Sequence, residues 1–158
     1  MILAFALFAT GGKNLHAQTI AAGVNYCLSI CSENTVKAWG TNSSGQLGNG
    51  STTSSKTPVS VSGLTGITAV AAGSSHAVAV KNNGSVYTWG DNIGGQLGTG
   101  NTTSSNTPAQ VAGFSGATKA AAGSKHTIVL KSDGTVWGWG NNAFSQLGAA
   151  SPSSSYPP

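Results

Sequence analysis

Few side chains in this 158-residue sequence can do chemistry: two cysteines, three histidines and three carboxylates. Cys27 and Cys31 form a CxxxC pair, a spacing that invites a disulfide or half of a metal site. Both fall in the β-rich run YCLSIC, and four residues of extended chain span about 13 Å, while a disulfide needs Cα atoms within ~7 Å. A structural zinc site takes about four ligands, and the chain has no further cysteine to add. His76 and His126 could act as bases or ligands only with a carboxylate or thiol close by. The three carboxylates are scattered: Glu33 and Asp133 in turn sequences, Asp91 in a glycine-rich loop. There is no Ser-His-Asp spacing and no phosphate-cradling loop between a strand and a helix. The expectation is therefore no catalytic residue, no metal site and no cofactor.

The elements that position these residues repeat. WGTNSSGQLGNG at 39–50 returns as WGDNIGGQLGTG at 89–100 and as WGNNAFSQLGAA at 139–150. Trp39, Trp89 and Trp139 are fifty residues apart, as are Gly40, Gly90 and Gly140, with no insertion or deletion between copies. Self-similarity at such a period marks stacked supersecondary units, none of which can bury its apolar face alone. In this register the histidines become one repeated position, His76 and His126, with Tyr26 in the first copy. A side chain required in every unit reads as a structural hydrogen-bonding group holding that unit together. The tryptophans read as packing anchors, with Trp137 beside the last. Cys27 aligns with Ala77 and Thr127 and reads as a small filler. Cys31 aligns with Lys81 and Lys131 and reads as an exposed thiol beside a turn.

Charged residues are 6% of the chain against a typical ~25%, and 23 glycines accompany long Ser/Thr/Asn runs, a composition of strands and turns. In the second unit PVSV, ITAVAAG, SHAVAVK and SVYTWGD read as four strands, the count of a propeller blade. Asn83-Gly84 and Asp133-Gly134 predict type I′ hairpin turns, with Asn34 serving in the first unit. All seven basic residues are lysine, and they are dispersed. Arginine is the usual bidentate reader of phosphate and guanine, so the formal charge of +4 does not point to nucleic acid.

Residues 1–17 stand outside the repeat. MILAFALFA is an apolar run too short to span a bilayer, and Leu15-His16-Ala17 closes a small-residue site. It is read as a signal peptide cleaved before Gln18, leaving no transmembrane segment and placing the protein outside the cell or on its surface. A buried first strand is the competing reading.

The stretch AAGSSHAVAVKNNGSVYTWGDNIGGQLGTG resembles the repeat of the regulator-of-chromosome-condensation family, whose members form seven-bladed β-propellers. The marks are AAGxxH, a hairpin, then WGxNxxGQLG. Kelch repeats share the period and fold type but arrange their glycines and aromatics differently. Tyr26 departs from the pattern, as do Ser145 and Ala150 where the other copies have glycine. The resemblance implies an all-β propeller of four-stranded antiparallel blades, with three repeats at 18–57, 58–107 and 108–158. Rings close with about 4 to 8 blades. The chain is thus expected to be the amino-terminal part of a longer propeller, or to close a ring by self-assembly.

The resemblance brings several functions: nucleotide exchange on a small nuclear GTPase, chromatin binding, and inhibition of β-lactamases by a secreted propeller. No motif in this sequence selects among them. The expectation is a non-enzymatic protein-binding scaffold, secreted or surface-displayed, for a protein partner. An exchange factor, or a propeller attached to an enzyme domain, are the alternatives. Within the repeated loop, Trp, Gly, Asn and Gln-Leu-Gly read as anchoring, turning and hydrogen bonding within a blade. Ile93 and Phe144 are apolar where the other copies have Ser, Ala or Gly, and read either as packing on an adjacent blade or as partner contacts.

Overall fold

The computed structural model describes residues 19–148. They form eleven strands in three antiparallel sheets, each sheet one blade. The first comprises β1 (Thr19–Ala22), β2 (Tyr26–Ile30), β3 (Val36–Gly40) and β4 (Ser55–Ser60). The second comprises β5 (Ile67–Ala72), β6 (His76–Lys81), β7 (Val86–Gly90) and β8 (Ser105–Gln110). Of the third, β9 (Ala117–Ala122), β10 (His126–Lys131) and β11 (Val136–Gly140) lie among the described residues. The proposed leader at 1–17 and the tail from 149 onward lie outside them.

Two details differ from the sequence reading. The expected unit boundary gives Pro58–Val61 to the second repeat, yet β4 pairs antiparallel with β3 and completes the first blade. A sequence period fixes the length of a unit, whereas hydrogen bonding decides where one sheet stops. The hairpins are not type I′, which needs positive φ at both central residues. Gly84 (φ 79°) and Gly134 (φ 85°) each follow two residues at negative φ, and Asn34 (φ 54°) does the same in the first blade. Gly84 N–H donates to Lys81 O at 2.8 Å while Lys81 N–H donates to Ser85 O at 2.9 Å, the pattern of a type I turn closed by a bulge.

The core lies between blades. β6 is buried on both faces: Ala77 and Ala79 face the first blade, Val78 and Val80 the third. Trp89 joins Leu28, Ile30 and Leu47 in one seam, and Trp139 joins Val78, Val86 and Phe114 in the other. Each blade thus has a leading face, carrying its tryptophan, and a trailing face, carrying its histidine or tyrosine.

Candidate functional site

The WGxNxxGQLG loop follows the third strand of each blade and is braced from within. Buried Asn92 receives the Leu97 N–H at Oδ1 (2.9 Å), and its Nδ2 donates to the carbonyls of Asn101 and Thr103, both at 3.0 Å. Asn42 repeats this set with Leu47, Ser51 and Thr53. The Gln96 amide accepts the Gly94 N–H at 2.8 Å and donates to Asp91 at 2.9 Å, which gives that carboxylate a bracing role. Gly40, Gly90 and Gly140 open the loop at φ 112°, 100° and 100°. A Cβ there would collide with the carbonyl of Asn25, Ser75 or Lys125 respectively. Ser145 stands where the other copies have glycine and takes the same left-handed turn at φ 57°, its N–H still donating to Asn142 O at 3.0 Å.

The expectation that these groups act within one blade holds for the Asn and Gln side chains but is corrected for the tryptophans, which tie adjacent blades. The Trp89 indole N–H donates to Gln46 O across the first seam (2.9 Å), and that of Trp139 to Gln96 O across the second (3.0 Å). Gln46 and Gln96 therefore brace their own loops with their side chains and hold the next blade with their carbonyls. The tryptophans require glycine opposite: a Cβ on Gly98 would lie 2.6 Å from Trp139 Nε1. Trp39 has the same position on the leading face of the first blade and is half-buried there.

His76 is fully buried, with Nε2 3.0 Å from Thr127 Oγ1. Thr127 Oγ1 gives its single proton to Gln96 O at 2.8 Å, so His76 Nε2 must be the donor to it. Nδ1 is then bare and has no partner. Burial, partly offset by Asp91 and reinforced by His126, pushes the His76 pKa down from 6.5 to about 4, so the ring is neutral. Nothing in the sequence singled out Thr127. The signal was its offset of fifty-one residues from His76, matched by Ala77 opposite Tyr26. Tyr26 needs no hydroxyl there, since its own reaches the His76 carbonyl directly, and burial raises its pKa. His126 is half-buried on the trailing face of the third blade.

Cys31 is buried at 5% exposure, against the expectation of an exposed thiol. Lysine at this position can carry its ammonium out to water along a flexible stem, whereas the short cysteine stays beneath the turn. Cys27 is half-buried, and neither cysteine is disulfide-bonded. Asp133 is spent on its hairpin, accepting from Thr135 N–H (2.9 Å) and Thr135 Oγ1 (2.6 Å), bonds that lower its pKa.

Two concavities lie near these loops. The inner strands leave a recess lined by Gly23, Val24, Gly73, Ser74 and Gly123, where the Ser74 and Ser124 hydroxyls meet at 3.0 Å. A groove between the first two WG loops is lined by Ser43, Ser44, Thr52, Ser104, Ser105 and Asn106. Neither carries a titratable side chain. Ile93 sits on its loop at 63% exposure although the following blade is in place, so it does not pack on that blade. Phe144 is 90% exposed. Its counterpart Gly94 points toward the next blade, a Cβ there lying 3.5 Å from Lys125 Cβ. Both apolar exceptions are thus exposed, and the position equivalent to 144 in the second blade lies beside the following blade.

The chain aligns over 56 residues, at 43% identity, with the E3 ubiquitin-protein ligase HERC2 of Homo sapiens, an overlap covering 35% of this chain and 1% of the ligase. Among solved structures it superposes on the crystal structure of Kap60 bound to yeast RCC1 (Prp20) with a TM-score of 0.80 and 21% identity, covering 90% of this chain and 36% of that one. A structure of Prp20p from Saccharomyces cerevisiae, described with its binding properties to Gsp1p and histones, gives 0.78 and 21%, covering 90% and 37%. The chain therefore spans little more than a third of the solved chains it resembles, and these likenesses show the propeller fold. Two family models, both described as Regulator of chromosome condensation (RCC1) repeat, match it: one at residues 34–80 and 83–130, the other at 17–46, 67–96 and 117–146. Each set covers more than half of the sequence and contains Gln46, Trp89 and Gln96 of the seams, so the chain belongs to the regulator of chromosome condensation repeat family.

Proposed function

We propose that this protein is a non-enzymatic, protein-binding propeller that presents its WG loops to a partner outside the cell or on its surface. The observation that carries this reading is Ile93, a large apolar side chain held in water on a loop whose neighbours are fixed by hydrogen bonds. Loops on a rigid scaffold are where binding residues usually lie. The reading is supported by the binding of Kap60 by yeast Prp20, which belongs to that protein, and the export element by the apolar run and Leu15-His16-Ala17.

A photo-reactive residue placed at 93, with a second at Asn83 on the far hairpin as control, tests the display. Crosslinks to a protein from the natural surroundings should form from 93 and not from 83, and unlabelled wild-type chain should compete them away. Ile93→Ser should not compete, while its stability stays within about 0.5 kcal/mol of wild type, as surface changes do. Equal crosslinking from both positions would end the reading. Amino-terminal sequencing of exported protein should begin at Gln18.

The match to HERC2 favours a second reading, in which these repeats accompany an enzyme domain elsewhere in a longer protein. The same repeats would then recruit substrate or regulate that domain.

A further inference from the structure

A single positive charge stands beside Ile93. The next loop residue, Gly94, faces the turn between β9 and β10 across the second seam, and a Cβ there would lie 3.5 Å from Lys125 Cβ. The Lys125 backbone is fixed, its carbonyl taking the Asn141 N–H at 2.8 Å, while its side chain is exposed. That turn position reaches the surface even with a blade on either side, since its counterpart Ser75 in the second blade is only half-buried. Asp91, at the foot of the same loop, accepts from the Gln96 amide at 2.9 Å with one oxygen and from the Ile93 N–H at 3.4 Å with the other. Among the described residues the Lys125 ammonium has no carboxylate partner. The equivalent places of the first seam hold Ser43, Ser44 and Ser75, all small and uncharged. An apolar side chain with a free cation beside it is therefore a feature of the second seam and not of the repeat.

We infer, resting on the display of the WG loops proposed above, that Ile93 and Lys125 together bind a peptide segment of the partner that presents a large apolar side chain flanked by Asp or Glu. The apolar side chain covers Ile93 and takes both out of water. The flanking carboxylate accepts from the unpaired ammonium, a charge-assisted bond. Covering the pair with apolar groups lowers the dielectric around it, which strengthens the attraction. A segment with Lys or Arg in the flanking place is rejected by like charge. Both anchors sit on backbone already held by hydrogen bonds, so little ordering opposes binding.

A phage-displayed library of random peptides, panned on the immobilised folded chain, reads the preference, and fluorescence anisotropy of the selected peptides measures it. Enriched peptides should share a large apolar residue with Asp or Glu within a few positions of it. Their binding should be lost in Ile93→Ser, weakened about threefold or more in Lys125→Met and about tenfold or more in Lys125→Glu, and kept in Lys125→Arg, with the melting temperature unchanged throughout. The same peptides should bind less tightly as salt rises, because the ammonium is exposed. Peptides that need Ile93 but lack an acidic residue, or that bind Lys125→Glu as well as wild type, overturn the pairing and leave the display of Ile93 standing. A library that yields no peptide dependent on Ile93 ends both.

Discussion

The two seams use one anchor and two different second ties. In both, a buried tryptophan donates to the carbonyl of a loop glutamine in the preceding blade. Beside it, the first seam spans the gap with one long side chain, Tyr26 to the His76 backbone, and has Ala77 opposite. The second uses a shorter ring and adds a hydroxyl, passing from His76 through Thr127 to Gln96. The tyrosine route ends on a backbone carbonyl and tolerates any small residue opposite. The histidine route depends on Thr127 and leaves Nδ1 without a partner. A repeat can therefore change its conspicuous residue when the residue facing it across the seam changes as well.

The largest effect should come from the shared anchor. Trp89→Ala removes a fully buried indole and its bond to Gln46 and should cost about 3 to 5 kcal/mol, read by chemical denaturation. A loss below about 1 kcal/mol would mean that the second ties, and not the tryptophan, hold the seams.

The next effect separates the seams by pH. The His76 pKa is about 4 in the folded protein and 6.5 when unfolded, so between these values the unfolded chain binds more protons. Stability should be full above about pH 6.5 and decline as pH falls toward 4, by roughly 3 kcal/mol from this group alone. Tyr26, its pKa raised, contributes nothing in that window. The double variant His76→Tyr with Thr127→Ala rebuilds the first tie in the second seam. It should keep most of the neutral-pH stability while this decline disappears. Thr127→Ala alone should cost about 1 to 3 kcal/mol by stranding the His76 donor. An unchanged decline in the double variant would assign it to other groups.

The smallest effect concerns a loop. Ser145 holds a left-handed conformation that glycine adopts in the other copies, at a cost of about 1 to 2 kcal/mol for a residue with a Cβ. Glycine's greater freedom in the unfolded chain offsets part of that gain. Ser145→Gly should raise stability by roughly 0.5 to 1 kcal/mol, and a loss would show that the serine hydroxyl, not the backbone, matters there.

The sequence by itself determined the repeat, the all-β class, the strands and the rank of the tryptophans, because in-register copies expose every position at which the fold admits one chemistry. It also marked Ile93 and Phe144 as exceptions. It assigned the repeated hydrogen bonds to single blades, which holds for the Asn and Gln amides but not for the tryptophan and histidine ties, because a period says which residues are equivalent and not which neighbour each one meets. Only the tertiary structure decided that His76 reaches Thr127, that Ser55–Ser60 closes the first blade, and that Cys31 is covered. It alone left Ile93 and Phe144 exposed rather than packed on a neighbouring blade, since that depends on how one twisted sheet stacks against the next.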